Sequence, residues 1–222
     1  MAQLPERPLT ILVAALGGEG GGVLADWLIA AATAHEFPVQ STSIPGVAQR
    51  TGATTYYVEL YPAKWSDLGG KRPVMALTPS PGNVDVMVAS ELIEAGRAMQ
   101  NGYVSPDRTT LIASTHRVYT VLEKMAMGDG RINVDKIMKA ADKLAKRAIL
   151  FDMADLAVKS GTVISAVLFG AMAGSGALPR PNPAGSKPSK ARGRWPSARA
   201  VSSTSPAMAH HTGRYAGSPS WP

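Results

Sequence analysis

The sequence predicts an α/β fold, with a mostly parallel sheet and helices on both faces. Short apolar runs alternate with amphipathic segments over residues 10–173, and this alternation is typical of α/β domains. Several runs are continuously apolar, as in "TILVAAL" at 10–16, which indicates strands buried on both faces. The first run passes through a glycine-rich turn directly into a helical pattern, as in a βα unit.

The N-terminal half supplies three predicted strands and one helix. The strands are expected at 10–16, 39–44 and 53–61, the last rich in β-branched and aromatic residues. A helix is expected over 22–35. Its predicted apolar stripe consists of Val23, Trp27, Ala30, Ala31 and Ala34. Residues 62–83 are rich in proline and glycine and are predicted to form a long loop.

The C-terminal half continues the alternation. The predicted elements are a strand at 84–90, a helix at 91–101, a strand at 109–115, a helix at 134–148, a strand at 148–153 and a helix at 154–173. Asn133 is expected to cap the helix at 134–148. Gly161 lies inside the last helix or divides it. Together the elements predict a Rossmann-like three-layer sandwich.

Composition limits the classes of function. The chain has 222 residues and no cysteine, which excludes disulfides, zinc-thiolate sites and iron–sulfur clusters held by this chain. The start "MAQLPERP" has no signal-peptide pattern. The longest apolar run, at 163–174, is too short to span a bilayer. We therefore expect a cytoplasmic protein with no membrane partner and no metal site.

The positive charge is confined to the C-terminal end. The formal net charge is +7, yet residues 1–178 hold 16 basic and 16 acidic residues. Residues 179–222 hold seven basic residues, no acidic residue and eight of the 17 prolines. This predicts a folded domain at 1–178 and a disordered basic tail at 179–222. The tail is interpreted as a frameshift product or a plain extension, with a nucleic-acid-binding arm as a lesser alternative.

Five glycines follow the first strand, at positions 17, 18, 20, 21 and 22. Glycines at a strand-to-helix turn let backbone N–H groups approach an anion at the helix N-terminus. The alternative is that they only allow close packing between strand and helix. The turn is not a Walker loop, because it has no lysine. Glu19 within it would repel a phosphate unless it turns away or pairs.

A second candidate segment follows the second strand. Pro45–Gly46 ends that strand, and Gln49, Arg50, Thr51 and Gly52 lie before the third. The carboxyl ends of parallel strands meet at one edge of a sheet, so both segments can face one site. Arg50 would supply a guanidinium that matches phosphate oxygens. The alternative for Arg50 is a salt bridge to Glu19.

The two segments together resemble a known family. "LGGEGGGVLADWL" followed by "PGVAQRTGATTYYVEL" is similar to the gamma-type subunit of 2-oxoacid:ferredoxin oxidoreductases, and most similar to the indolepyruvate type, where it is called the beta subunit. The segments 113–133 and 151–179 also resemble this family, so the resemblance covers residues 8–179. Past "ALP" at 177–179 the chain departs from the family pattern.

The resemblance implies a subunit that cannot act alone. Such enzymes decarboxylate a 2-oxoacid oxidatively and form an acyl-CoA. Thiamine diphosphate and the iron–sulfur clusters belong to a large partner subunit, through which electrons reach ferredoxin or another acceptor. This subunit would complete the active site and help to bind coenzyme A. The residues implied in cofactor binding are Gly17, Gly18, Gly20, Gly21, Gly22, Gln49, Arg50, Thr51 and Gly52.

Other interpretations remain open. The chain could be a standalone Rossmann-like nucleotide-binding module. His116 follows a predicted strand and could serve as an acid–base group, although a structural role is favoured because no partner is visible nearby in sequence. Glu91 is expected to cap the helix that follows it. No residue is assigned a catalytic role.

Overall fold

A six-stranded sheet forms the centre of the computed structural model, which describes residues 7–44, 53–119, 121–125 and 130–179. The strands are β1 (Leu9–Leu16), β2 (Val39–Ile44), β3 (Ala53–Leu60), β4 (Val86–Ala89), β5 (Thr110–Ser114) and β6 (Arg147–Phe151). Their order is β2-β3-β1-β4-β5-β6. The strands β1, β4, β5 and β6 run parallel, whereas β3 pairs antiparallel with β1 and β2. The predicted mostly parallel sheet is confirmed.

Helices cover both faces of the sheet, as predicted. They are α1 (Gly21–Ala34), α2 (Leu92–Gln100), α3 (Val121–Met125), α4 (Val134–Leu144), α5 (Met153–Lys159) and α6 (Ile164–Ser175). The core on one face joins α1 and α6 to the sheet through Leu28, Val88 and Phe169. The core on the other face joins α2 and α4 to it through Leu92 and Ile137. Such separate apolar layers are what a three-layer sandwich requires.

The strands follow the sequence pattern closely. Every residue from Ile11 to Ala15 in β1 and from Val86 to Ala89 in β4 is buried, which matches their continuously apolar sequences. The edge strand β2 is only half-buried and carries four consecutive polar residues at 40–43. The side chains of Gln40 and Thr42 donate to the carbonyls of Ala76 and Leu77, at 3.0 and 2.6 Å. These bonds attach the loop after β3 to the edge of the sheet.

The predicted stripe of α1 is partly wrong. Trp27 and Ala31 are buried as predicted, but the other buried positions include Leu24, Leu28 and Ala32 rather than Val23 and Ala34. The sequence of α1 is apolar on nearly every side, so periodicity carries little information about its orientation. The helix α1 is apolar on more than one side because it packs against both the sheet and α6, whose residues belong to the same core.

The C-terminal helices follow the prediction in part. The predicted helix 154–173 is divided into α5 and α6, one of the two outcomes that the sequence left open; the two helices are bent by 112°, and Gly161 has a φ of 60° at the break. The predicted helix 134–148 ends at Leu144, because Ala145 is already extended. The five-residue α3 has no counterpart in the prediction. The expected cap is confirmed, since Asn133 Oδ1 accepts from the Lys136 N–H at 3.1 Å.

No single helix in the described ranges is both long enough and apolar enough to cross a membrane. The helices α5 and α6 reach that length and composition only when they are counted together across their 112° bend.

Candidate functional site

The glycine turn lies where the carboxyl end of β1 meets the start of α1. The register pairs Leu16 with Ala53 and Ile44 with Thr55, so β2 ends and β3 begins at this same edge of the sheet. The edge is therefore shared as the sequence predicted. Gln49, Arg50, Thr51 and Gly52 lie outside the described residues, as does the alternative contact between Arg50 and Glu19.

The first part of the turn is open. Gly17 and Gly18 are exposed, and no described atom lies within 4 Å of a Cβ built on either one. Gly18 and Gly20 have φ values of 88° and 73°, which favour glycine, and the Glu19 N–H between them donates to the Leu16 carbonyl at 3.1 Å. The first turn of α1 has no acidic residue and Gly20 provides no side-chain cap. The helix end therefore leaves donors for an anion.

The second part of the turn is packed. A Cβ on Gly20 would lie 2.9 Å from Ser165 Oγ, and one on Gly21 would lie 2.5 Å from Ala15 Cβ and 2.8 Å from the Tyr56 ring. Real side chains do not tolerate such distances. Close packing therefore explains Gly20 and Gly21, while Gly17 and Gly18 are left open toward solvent.

Glu19 does not project from the turn as an unpaired charge. Its Oε1 lies 3.0 Å from His116 Nε2, and its Oε2 accepts from Ser90 Oγ. Burial acts to raise the pKa of Glu19, but the hydrogen bonds from His116 and Ser90 outweigh it, so the pKa is lowered. Glu19 is thus a carboxylate whose charge is met by partners within the chain. The pairing that the sequence left open is present, with partners other than Arg50.

His116 joins this contact to the rest of the sheet edge. Its Nδ1 lies 2.8 Å from Ser114 Oγ, and that oxygen also accepts from the Met153 N–H at 3.0 Å. Ser90 Oγ accepts from the Leu16 N–H at 3.1 Å. The hydrogen bond with Glu19 raises the pKa of His116, against a smaller opposing effect of burial. One chain of hydrogen bonds therefore connects the ends of β1, β4 and β5 with the start of α5.

Comparison with known proteins identifies the family. The family model described as pyruvate ferredoxin/flavodoxin oxidoreductase matches residues 10–186. This chain belongs to that family. The matched range begins at the second residue of β1 and includes the glycine turn, the rest of the sheet and both layers of helices. The chain matches no curated protein sequence.

Solved structures share the architecture at low sequence identity. A pyruvate oxidoreductase subunit from Thermotoga maritima is 16% identical, with a TM-score of 0.50 over 78% of this chain and 80% of that chain. An oxoacid ferredoxin oxidoreductase gamma subunit from Geobacter sulfurreducens is 14% identical, with a TM-score of 0.46 over 77% and 79%. A 2-oxoglutarate:ferredoxin oxidoreductase from Magnetococcus marinus is 16% identical, with a TM-score of 0.47 over 76% of this chain and 24% of that one. At 16% identity, the likeness to the Thermotoga maritima subunit supports the fold alone.

A second ionic network, centred on Arg117, fixes the segment after β5. Arg117 lies between two buried carboxylates, donating from Nε to Glu91 at 3.0 Å and from Nη2 to Glu123 at 2.6 Å. Glu91 also accepts from the Ile93 N–H at 2.7 Å, which confirms its expected role as the cap of α2. The network holds His116 in place, because Arg117 is its immediate neighbour in sequence.

Two grooves lined by described residues lie away from the glycine turn. One of about 480 Å³ is lined by residues of β6, α5 and α6, among them Ile149, Phe151 and Val167. Another of about 600 Å³ lies between α2 and α4, beside Met99 and Ile137. Among the residues with described positions, no three metal-ligating side chains come together.

Proposed function

We propose that this chain is the gamma-type subunit of an indolepyruvate-type 2-oxoacid:ferredoxin oxidoreductase. The enzyme would convert an aryl pyruvate and CoA to an acyl-CoA and CO₂, passing two electrons singly to ferredoxin. The family match over residues 10–186 carries the proposal. The indolepyruvate type rests on the resemblance of "LGGEGGGVLADWL" and "PGVAQRTGATTYYVEL" to that branch.

The proposed role of the glycine turn is to help bind CoA. A pyrophosphate needs several N–H donors without a competing carboxylate, and the start of α1 combines two glycines at positive φ with an uncapped first turn. The carboxylate of Glu19 is held by His116 and Ser90, and its charge is balanced when His116 is protonated. Gln49 and Arg50 would add polar contacts from the segment that leaves and re-enters the sheet at this edge.

The proposed partner is a large subunit that holds thiamine diphosphate and the iron–sulfur clusters. This chain has no cysteine, so the thiolates that such clusters need must come from elsewhere. The openness of Gly17 and Gly18 suits a site that a second polypeptide closes. This chain would then bind and orient CoA, while the partner performs the redox chemistry.

Reconstitution tests the proposal. The full chain is combined with a large subunit of this family that holds thiamine diphosphate and iron–sulfur clusters, and ferredoxin reduction is measured with indolepyruvate, pyruvate and 2-oxoglutarate as separate substrates. We expect CoA-dependent turnover only when both chains are present, with indolepyruvate giving the highest kcat/KM. Full turnover without this chain would contradict its role, and a preference for another 2-oxoacid would contradict the indolepyruvate type alone.

The alternative of a standalone nucleotide-binding module is favoured by one observation, the glycine turn at the carboxyl edge of a Rossmann-like sheet. Equilibrium titration of the full chain with NAD, FAD and CoA separates the two functions. Binding of CoA without NAD or FAD supports the subunit role. Tight binding of NAD or FAD with no effect of CoA supports the module.

A further inference from the structure

The strand β6 forms an edge of the sheet that no described strand covers. It is the last strand in the order β2-β3-β1-β4-β5-β6, and it pairs only with β5. On the β5 side, the Thr115 N–H donates to the Phe151 carbonyl at 3.0 Å. Because the backbone groups of successive strand residues point to opposite sides, those of Ala148 and Leu150 face outward. These two residues therefore present two N–H donors and two carbonyl acceptors along the edge.

The two edges of the sheet differ in how they are protected. Side chains of β2 bond the loop that follows β3, so that edge has a polar cover. The sequence of β6, "RAILF", has no proline and a single charged residue, Arg147, which is turned back to donate to the Ser175 carbonyl at 2.7 Å. Proteins normally protect an exposed edge with charge, proline or a covering segment. Within the described residues none of these protects β6, which is typical of an edge that pairs with another strand.

Apolar side chains continue this edge on the face that α5 and α6 cover. The groove of about 480 Å³ beside β6 is lined by Ile149, Val167 and Ala171, among others. Phe151 and Leu156 also line it, and they remain 36% and 42% exposed. A strand added to β6 would extend over this groove and remove apolar surface from water. The backbone and the side chains thus favour the same occupant, an extended strand of apolar sequence.

The strand β6 is complementary to a second copy of itself. When two copies run antiparallel about Ile149, the midpoint of the strand, Ala148 of each copy lies opposite Leu150 of the other. Both residues face outward, so each of these two pairs exchanges two backbone hydrogen bonds. The same arrangement sets Lys146, just before the strand, opposite Asp152 of the other copy, just after it; both residues are exposed. Their charges are opposite, so the pairs at both ends attract.

We propose that this chain forms a symmetric dimer in which β6 of one copy pairs antiparallel with β6 of the other. The two six-stranded sheets then form one continuous sheet across a two-fold axis at Ile149. The axis is perpendicular to the sheet, so the grooves of the two copies lie on the same face and adjoin each other. This inference is independent of the proposed function, since it uses no residue of the glycine turn.

Cysteine cross-linking of the full chain tests the dimer directly, because the chain has no cysteine of its own. Ile149→Cys places two thiols across the axis at a non-hydrogen-bonded pair, where the Cα atoms are about 4.5 Å apart and within disulfide range. The matched control is Val158→Cys on α5, which is 81% exposed but does not belong to the edge. With diamide as the oxidant, we expect Ile149→Cys to form a disulfide-linked dimer at least about tenfold faster than Val158→Cys.

Sedimentation of the full chain without cysteine gives the second measurement. Lys146→Glu sets like charges opposite each other at both ends of the paired strands, which should raise the dissociation constant of the dimer about tenfold at low salt. The effect should shrink at high salt. Lys71→Glu makes the same change of charge at an exposed position in the loop attached to the other edge, and should leave the constant unchanged.

Three results would overturn the inference and leave the proposed function standing. The first is a wild-type chain that stays monomeric at about 100 μM. The second is equal cross-linking of the two cysteine variants. The third is a dimer whose dissociation constant does not respond to Lys146→Glu, because the contact would then lie elsewhere on the surface.

Discussion

Glu19 and His116 decide at the scale of single residues what the glycine turn can do. A carboxylate in that turn would repel a phosphate if it stood alone. The contact between Glu19 Oε1 and His116 Nε2, at 3.0 Å, places a cation beside it when His116 is protonated. The side chains are 18% and 17% exposed, so solvent screens this contact less than it would a surface pair.

The pair makes stability depend on pH in a direction that can be stated. The hydrogen bond between Glu19 and His116 raises the pKa of His116 above its value in the unfolded chain, which is about 6.5. The stabilisation is complete below that value and is lost as the pH rises through the raised pKa. Replacing His116 by Gln should lower the free energy of unfolding by about 1 to 2 kcal/mol near pH 6 and by less near pH 9, as measured by chemical denaturation.

His35 is the matched control for this prediction. Burial, aided by the charge of Lys64, lowers the pKa of His35, so its contribution to stability grows as the pH rises. The variant His35→Gln should therefore lose more stability at high pH than at low pH, the reverse of His116→Gln. Equal losses for His116→Gln across the range would show that Glu19 and His116 are not coupled in solution. Glu91 and Asp152 also face His116 and raise its pKa, so Glu19→Gln identifies the share due to Glu19.

Glycines on the helices serve different purposes, and substitutions can separate them. An added methyl on Gly21 would meet Ala15 and Tyr56 at 2.5 and 2.8 Å, whereas one on Gly170 meets no described atom within 4 Å. Gly21→Ala should therefore destabilise the chain by about 1 to 3 kcal/mol through overpacking. Gly170→Ala, inside α6, should stabilise it by about 0.5 to 1 kcal/mol. Equal effects in thermal unfolding would refute the packing at Gly21.

Arg117 is the residue on which the contact between β5, α2 and α3 depends. Glu91 and Glu123 side chains are 1% and 3% exposed and share this guanidinium. Arg117→Met would leave both carboxylates buried without it, which should cost about 3 to 5 kcal/mol of stability. Lys124→Met, an exposed substitution in α3, should change stability by less than about 0.5 kcal/mol. Denaturation curves that coincide for the two variants would contradict the network.

The elements that the sequence predicted well are those with a clear physical pattern. The buried strands β1 and β4 are continuously apolar, and their existence and extent were predicted within two residues at each end. The helix α1 was predicted, but its buried side was not, because it is apolar all round. The bend between α5 and α6 occurs at Gly161, where the sequence left both a continuous and a divided helix open.

At the scale of the whole molecule, the candidate site was predictable only in part. The ends of β1 and β2 were expected at one edge of the sheet, and the register places them there, with β3 between them. The contact between Glu19 and His116 could not be inferred, because 97 residues separate them and no local pattern links them. The packing of Ser165 against Gly20 could not be inferred either, since it depends on how α6 packs against α1.

The two cores close within the described residues, and the excess positive charge lies beyond them. Ending the chain after Pro179 removes seven basic residues and brings the formal net charge from +7 to zero. We predict a change in unfolding free energy of less than about 0.5 kcal/mol and loss of any salt-dependent retention on DNA. Salt-sensitive DNA binding by the truncated chain would contradict the assignment of the charge to the tail.

The most direct test of the central claim, that the glycine turn holds the anionic part of CoA, is the KM for CoA of the reconstituted enzyme with Gly17→Asp and Gly17→Asn. The two side chains have nearly the same size, and a Cβ at Gly17 meets no described atom within 4 Å, so charge is the difference between them. We predict that Gly17→Asp raises the KM for CoA at least about tenfold relative to Gly17→Asn, with little change in the KM for the 2-oxoacid. Equal KM values for CoA in the two variants would contradict the claim.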